Sequence, residues 1–393
     1  MMHGFEFYTP TRVIFGAGSL EKLPEAVGRC GAKRVFVIYG GQSAKKSGTL
    51  DRVEALLTGA GIAFAAIGGV KPNPRLGLAR EAIREAIAFG ADLILAVGGG
   101  SVIDTAKATA HGTANPEADI WDIWMGKVKL EKSLPVGVVL TIPAAGSEMS
   151  DSAVLTDEAA LAKRGLNTDL NRPAFALMDP ALAATLPARQ AACGVTDIMM
   201  HTLERYVNPL ENDMTDEIAE ALLRVVIRHG EAVVKNPGDI DAMSEIMWAG
   251  SLSHNNLTGL GGKKDFSVHQ FGQAIGEKFD IYHGETLSAM WASYARYVAP
   301  TNFARFARYA RNVWGVEEAD DEKAAMAGID ATEAYFKRLG MPVRIAELSC
   351  GVQDEAGLYD LALRCSRNRG RTIGSFRVLD FEDMLNVYQM ANK

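Results

Sequence analysis

The 393-residue sequence predicts an α/β domain followed by a mainly α-helical one, and three observations carry that prediction. Up to about residue 185, short apolar runs alternate with amphipathic helical stretches. Those runs end in glycines, where a chain turns sharply or lies close to a ligand. Beyond that point strand signals become rare and helical periodicity dominates. The expected domains are 1–185 and 186–393, the first built on a mainly parallel sheet with helices on both faces.

The elements follow in order. Arg34–Tyr39 (RVFVIY) predicts a strand ending at Gly40-Gly41. A helix is expected near Thr49–Gly59, with Leu50, Val53, Leu56 and Leu57 on one face. Ala63–Ile67 predicts a second strand and Leu76–Phe89 an amphipathic helix. Asp92–Val97 predicts a buried strand ended by Gly98-Gly99-Gly100, then a helix over Ser101–Ala110 with Ser101 as its N-cap. Val136–Ile142 predicts a further buried strand. In the second half, helices are expected at Ala188–Tyr206, Thr215–Val234, Asp241–Asn255, Val268–Phe279, Thr286–Val298, Asn302–Val313, Glu322–Leu339 and Phe381–Ala391.

Composition removes several function classes. Lys and Arg total 41 against 48 Asp and Glu, a net charge of −7 with no polybasic block, so nucleic acid and anionic membrane surfaces are not expected partners. No apolar run approaches the ~18 residues of a membrane span. The four cysteines form no C-x-x-C pair, and the first ten residues do not resemble a signal peptide. A soluble cytoplasmic protein is expected.

Two glycine turns suggest a nucleotide. Gly98, Gly99 and Gly100 stand between a strand and a helix start, where backbone amides and the helix dipole favour a phosphate. The other reading is a tight strand-to-helix turn with no ligand. The stretch is not a G-x-G-x-x-G fingerprint, because position 103 is Ile. After the first strand, Gly40-Gly41-Gln42-Ser43-Ala44-Lys45-Lys46 lacks the carboxylate that would hold an NAD ribose. Gly40, Gly41, Ser43 and the lysines suit the extra 2′-phosphate of NADP instead, although Lys46 reads equally well as a solvated residue at a helix start.

The second half suggests a metal. Asp197 and His201 share one helix face at i and i+4. His269 begins another helix and His283 follows 14 residues later. One carboxylate oxygen and three imidazole nitrogens suit a divalent transition metal such as Fe²⁺ or Zn²⁺. His3, His111, His229 and His254 read as structural or surface residues, with pocket lining a second reading for His254. Trp121, Trp124, Met149, Phe266 and Tyr282 are candidate lining residues or ordinary core.

The ordered motifs resemble the iron-containing (group III) alcohol dehydrogenases, in particular their NADP(H)-dependent butanol dehydrogenase and aldehyde reductase branch. They run from Phe15-Gly16-Ala17-Gly18 through Tyr39-Gly40-Gly41-Gln42-Ser43, Pro72-Asn73-Pro74-Arg75, Gly98 to Lys107 and Gly146-Ser147-Glu148-Met149. They continue through Arg172-Pro173, Met178-Asp179-Pro180, Gly194 to Glu204, and His269 with His283-Gly284. The resemblance implies a dehydroquinate-synthase-like fold and a metal on Asp197, His201, His269 and His283. It implies dinucleotide contacts at Gly40, Gly41, Ser43, Asn73, Gly98, Gly99, Gly100, Ser101, Asp104, Thr141, Ser150 and Lys163. It also implies a homodimer, with Glu6–Ile14 a candidate for strand exchange.

The implied reaction is hydride transfer between NADP(H) and short- to medium-chain alcohols or aldehydes, with the metal acting on the substrate oxygen as a Lewis acid. Three positions depart from the family pattern. Ala145 replaces a common Thr, Ser150 a common Asn, and Gln273 the second His of an H-x-x-x-H pair. Gln cannot titrate near neutral pH, which leaves the proton route open. The alternatives are a metal- and NAD-dependent lyase of the dehydroquinate synthase type, or an inactive nucleotide-binding scaffold.

Overall fold

Eight strands organise the first half of the chain in a computed structural model that describes residues 3–41 and 43–393. They are β1 (Arg12–Phe15), β2 (Arg34–Tyr39), β3 (Ala63–Ile67), β4 (Leu93–Gly98), β5 (Val136–Leu140), β6 (Ser152–Asp157), β7 (Ala162–Asn167) and β8 (Phe175–Met178). Six of them form a parallel sheet in the order β1-β8-β5-β4-β2-β3, while β6 and β7 form an antiparallel hairpin. The main helices of this half are α1 (Leu23–Arg29), α2 (Thr49–Gly59), α3 (Leu76–Phe89) and α4 (Gly100–Ala114).

Burial explains the parallel pairing. Every residue of β4 and β5 is buried, so both sheet faces must be covered. On one face Val35, Val37, Leu93, Leu95 and Val97 pack with Leu50, Val53 and Leu57 of α2. Each such side chain contributes roughly 1.5–3 kcal/mol when fully buried.

The chain runs outward from β2 to β3 and then returns to β4 on the other side of β2. That reversal leaves a topological switch point at the C-terminal ends of β2 and β4, where ligands of such sheets bind. Tyr39 pairs with Val97 in register, so Gly40-Gly41 and Gly98-Gly99-Gly100 leave the sheet side by side.

The second half supplies α5 (Ala188–Tyr206), α6 (Asp213–Lys235), α7 (Ile240–His254), α8 (Ser267–Phe279), α9 (His283–Val298), α10 (Phe303–Trp314), α11 (Asp321–Arg338), α12 (Glu355–Cys365) and α13 (Phe381–Ala391). Residues Gly284 through Ala295 of α9 are all buried, which makes it the central helix. Among the described residues no helix is long and apolar enough to cross a membrane.

Two compact units result. One comprises Tyr8–Leu186 with Pro237–Ser251, and the other comprises the segment through Phe7, Pro187–Asn236 and Leu252–Lys393. Most of α7 therefore belongs with the sheet, although it lies among the helices in sequence. Its tie is specific: Ser251 Oγ donates to the buried carboxylate of Glu148 at 2.5 Å, and Trp248 meets the ring of Phe15 edge-on.

Several elements differ from expectation. The expected N-cap at Ser101 is instead Gly99, whose carbonyl accepts the amides of Val102 and Ile103. α9 begins at His283, three residues before Thr286. β1, β8 and the β6–β7 hairpin carry no strand signal in the sequence. β1 and β8 have only four residues each, too few for a clear alternation, and β7 (AKRGLN) is polar.

Candidate metal centre

The helical unit gathers imidazoles around one carboxylate oxygen. α5 is buried from Gly194 to Tyr206, and its 3.6-residue period sets Asp197 and His201 on one face. His201 Nδ1 lies 3.5 Å from Asp197 Oδ1, His269 Nε2 3.6 Å and His283 Nε2 3.9 Å. The ligand atoms of Asp197, His269 and His283 all lie within 4.8 Å of one another. His201 falls outside that tight trio. Its ring stacks on His269 at 4.6 Å and meets His254 edge-on at 4.0 Å.

Backbone geometry makes the convergence possible. His283 is the first residue of α9, and Gly284 follows it. A Cβ on Gly284 would stand 2.6 Å from the carbonyl oxygen of Cys193, so only glycine lets α9 start this close to α5. His269 lies in the first turn of α8, entered through Phe266 in the left-handed region at φ 54°. That conformation is uncommon for a bulky residue, and it sets the Phe266 ring 5.1 Å from His269 and 6.2 Å from His201. Asp265 anchors the turn by accepting from the amides of Ser267, Ser375 and Phe376 and from the Tyr294 hydroxyl.

The donor set fits a cation. Asp197 Oδ1, His201 Nδ1 and His269 Nε2 are buried and have no hydrogen-bond partner. Leaving several polar atoms unpaired in one small space is costly unless an ion satisfies them. Burial, then the neighbouring His254 and His269, pushes the His201 imidazole well below its ordinary pKa, so it stays neutral as a ligand must be. Burial also works against charge on His269, but Glu204 and then Asp197 raise it to about 9.

Glu204 closes the motif that opens at Gly194, and the sequence alone assigns it no role. It lies seven residues after Asp197 and three after His201, hence on the same buried face of α5. Its carboxylate accepts from the amides of Val268 and His269 at 2.5 and 3.3 Å and from His269 Nδ1. The signal that points to it is the D-x-x-x-H-x-x-E spacing. Of the expected lining residues, Phe266 touches the histidines, Tyr282 is partly exposed beside His283, and Trp124 and Met149 are core of the sheet unit.

The nucleotide-contact candidates lie in the sheet unit and fall into three groups. Gly40, Gly41, Gly98, Gly99, Gly100 and Ser101 sit at the switch point, with exposed Ser43 following β2. Thr141 joins them through its amide, which donates to the Gly98 carbonyl at 3.1 Å. The glycines also answer to packing. A Cβ on Gly98 would clash with Val102 at 2.5 Å, and one on Gly99 with Ile142 at 2.7 Å.

Asn73, in the left-handed region at φ 57°, accepts from Lys163 Nζ at 3.1 Å. Asp104 accepts from Ser147 Oγ and the Val154 amide. Beside it, fully buried Lys107 donates to Ser147 Oγ and to the carbonyls of Ser150 and Ser152. Ser150 Oγ accepts from the Ser152 amide. His111 of the same helix is buried between Ser133 and Asn171, a structural role.

A doubly wound sheet with glycine turns at its switch point, and in the same chain a carboxylate ringed by imidazoles, together define a class: nucleotide-using metalloproteins. Comparison with known proteins narrows it. A family model described as iron-containing alcohol dehydrogenase matches residues 10–180, and its C-terminal counterpart matches 190–392. NADH-dependent butanol dehydrogenase A of Clostridium acetobutylicum is 36% identical over 99% of this chain and 100% of its own length. NADPH-dependent aldehyde reductase YqhD of Escherichia coli is 34% identical over 88% of this chain and 89% of its own. The crystal structure of NADH-dependent butanol dehydrogenase A from Thermotoga maritima superposes with a TM-score of 0.95 at 32% identity, covering 100% of this chain and 99% of that one.

The chain belongs to the iron-containing alcohol dehydrogenase family. Membership implies a nicotinamide cofactor, a divalent metal and an alcohol or aldehyde substrate, and it displaces the lyase reading.

Proposed function

We propose that this protein is an NADP(H)-dependent alcohol dehydrogenase that interconverts short- to medium-chain aldehydes and alcohols, in the manner of butanol dehydrogenases. The observation that carries the reading is the single Asp197 oxygen with three imidazole nitrogens at 3.5–3.9 Å. Asp197, His201, His269 and His283 would hold Fe²⁺ or Zn²⁺. When bound, the cation polarises a substrate oxygen as a Lewis acid, and the nicotinamide donates or accepts hydride.

The protein's own groups do the rest. The Phe266 ring packs against His269 and His201 on one side of the histidine cluster. Gln273 donates its amide to Glu277 Oε1 at 3.0 Å and moves no proton itself. In the sheet unit, the α4 N-terminus and the glycine turns would receive the pyrophosphate, and Asn73, Asp104, Thr141, Ser150 and Lys163 would flank the rest of the dinucleotide.

The cofactor choice rests on β2. No carboxylate follows it at Gly40 or Gly41, and Lys45 Nζ lies 5.2 Å from the Tyr39 ring at the strand end, where it favours a phosphate. The names of the relatives divide between NADH and NADPH. The expected assembly is a homodimer and the expected compartment the cytoplasm.

The test is an assay of aldehydes from propanal to hexanal with NADPH and with NADH, before and after chelation. Activity should vanish on chelation, return with Fe²⁺ or Zn²⁺, and favour NADPH in kcat/KM by about tenfold or more. Full activity in metal-free protein would overturn the mechanism. Preference for NADH would overturn the cofactor choice alone.

A further inference from the structure

We infer that Glu204 is a positioning residue for the cation site: it accepts a hydrogen bond from His269 Nδ1 and so turns Nε2 toward Asp197 Oδ1. The inference rests on the cation-dependent reading above and deepens it.

Glu204 is 1% exposed, yet among the described residues no Lys or Arg forms an ion pair with it. Its compensation comes from elsewhere. One oxygen accepts the amides of Val268 and His269, in the first turn of α8, where amides have no partner within the helix. The other oxygen meets His269 Nδ1. Backbone amides can only donate, so they occupy one carboxylate oxygen as an acceptor, and the other oxygen is left facing Nδ1, placed to accept a hydrogen that the imidazole carries there.

The opposite nitrogen completes the geometry. His269 Nε2 is buried, has no hydrogen-bond partner and lies 3.6 Å from Asp197 Oδ1, itself unpartnered. With Nδ1 engaged by Glu204, Nε2 and the Asp197 oxygen face each other across a gap that a cation can fill. The backbone reinforces it: the Asp265 amide donates to the Glu204 carbonyl at 2.9 Å, which ties the end of α5 to the turn that opens α8. One side chain thus fixes the place, the orientation and the tautomer of a ligand carried by another helix. Such carboxylate–imidazole pairs typically change cation affinity by about 10–100-fold.

A helix cap alone would make a different prediction, and Glu204→Gln separates the two. The Gln oxygen can still accept the α8 amides. Its NH₂ then faces Nδ1 as a donor and drives the imidazole hydrogen to Nε2, against the cation. Affinity for Zn²⁺ or Co²⁺ would be measured by chelator competition on the full chain, with the Co²⁺ absorption spectrum and the thermal midpoint of the metal-free protein alongside.

Glu204→Gln should bind about 10–100-fold more weakly while the metal-free midpoint changes little, and Glu204→Asp should recover part of the loss. Affinity within about twofold of the parent, or equal losses in both variants, would overturn the inference. Should Glu204→Gln fail to fold, ¹⁵N-histidine NMR of the unmodified metal-free and Zn²⁺-loaded protein decides it. Hydrogen at His269 Nδ1 supports the assignment and hydrogen confined to Nε2 overturns it. A parent protein that binds neither ion overturns the cation-dependent reading itself, an outcome distinct from equal binding by parent and variant.

Discussion

The two units meet their polar groups in opposite ways. In the helical unit, Asp197, His201 and His269 leave buried atoms unpaired around one point. In the sheet unit, side chains proposed to surround a nucleotide already have partners: Asp104 in Ser147 and the Val154 amide, and Asn73 in Lys163, while buried Lys107 beside Asp104 is held by Ser147 and the Ser150 and Ser152 carbonyls. The difference follows from the ligands each unit suits. A small cation needs lone pairs left over at fixed distances. A dinucleotide needs shape, backbone amides and a helix end, which a rigid, internally satisfied frame provides.

The largest effect should break the helical side of this contrast. Asp197→Ala removes the oxygen that three imidazoles face. Turnover should fall by about 10⁴-fold, ~5 kcal/mol of barrier, with bound metal lost and the fold retained. Metal analysis and circular dichroism check this. Metal retained at the parent stoichiometry would show that the histidines suffice and that Asp197 is not their centre.

The frame of the sheet unit should fail by unfolding instead. Lys107→Met strands Asp104 and the acceptors that Lys107 serves, so it should cost roughly 3–5 kcal/mol in denaturant unfolding. Cation affinity in the protein that remains folded should be unchanged. A loss of cation affinity matching the loss of stability would erase the distinction between the two units.

A pH experiment sharpens the same point. Burial lowers the His111 pKa to about 4, from an ordinary 6.5. Below pH 6.5 the unfolded chain binds a proton that the folded one refuses, so stability is lost as pH falls toward 4. The loss should approach ~3 kcal/mol, since each tenfold weakening of proton binding is worth about 1.4 kcal/mol. His111→Gln cannot take up that proton, so its unfolding midpoint should vary less between pH 7 and pH 4.5. An unchanged acid limb would assign the acid sensitivity to other groups.

The smallest effect tests cofactor choice. Gly41 has open space where a Cβ would stand, so Gly41→Asp adds a carboxylate after β2 without a clash. It should repel a 2′-phosphate, attract a ribose 2′-hydroxyl and shift the NADPH-to-NADH ratio of kcat/KM about tenfold toward NADH, ~1.4 kcal/mol. An unchanged ratio would place 2′-phosphate recognition elsewhere.

The sequence by itself determined what depends on neighbours along the chain. Helical period alone put Asp197 and His201 on one face, and apolar runs marked β2 as a strand and β4 and β5 as buried strands. It also carried the family motifs across nearly the whole length. Tertiary structure decided what depends on distant residues. It drew His269 and His283 to the Asp197 oxygen, a convergence that needed the close approach at Gly284 and the left-handed turn at Phe266. It packed most of α7 with the sheet through Ser251 and Glu148, paired the four-residue strands β1 and β8, and gave Glu204 its partner on another helix. No local period encodes such contacts, because each is set by chain closure over tens to hundreds of residues.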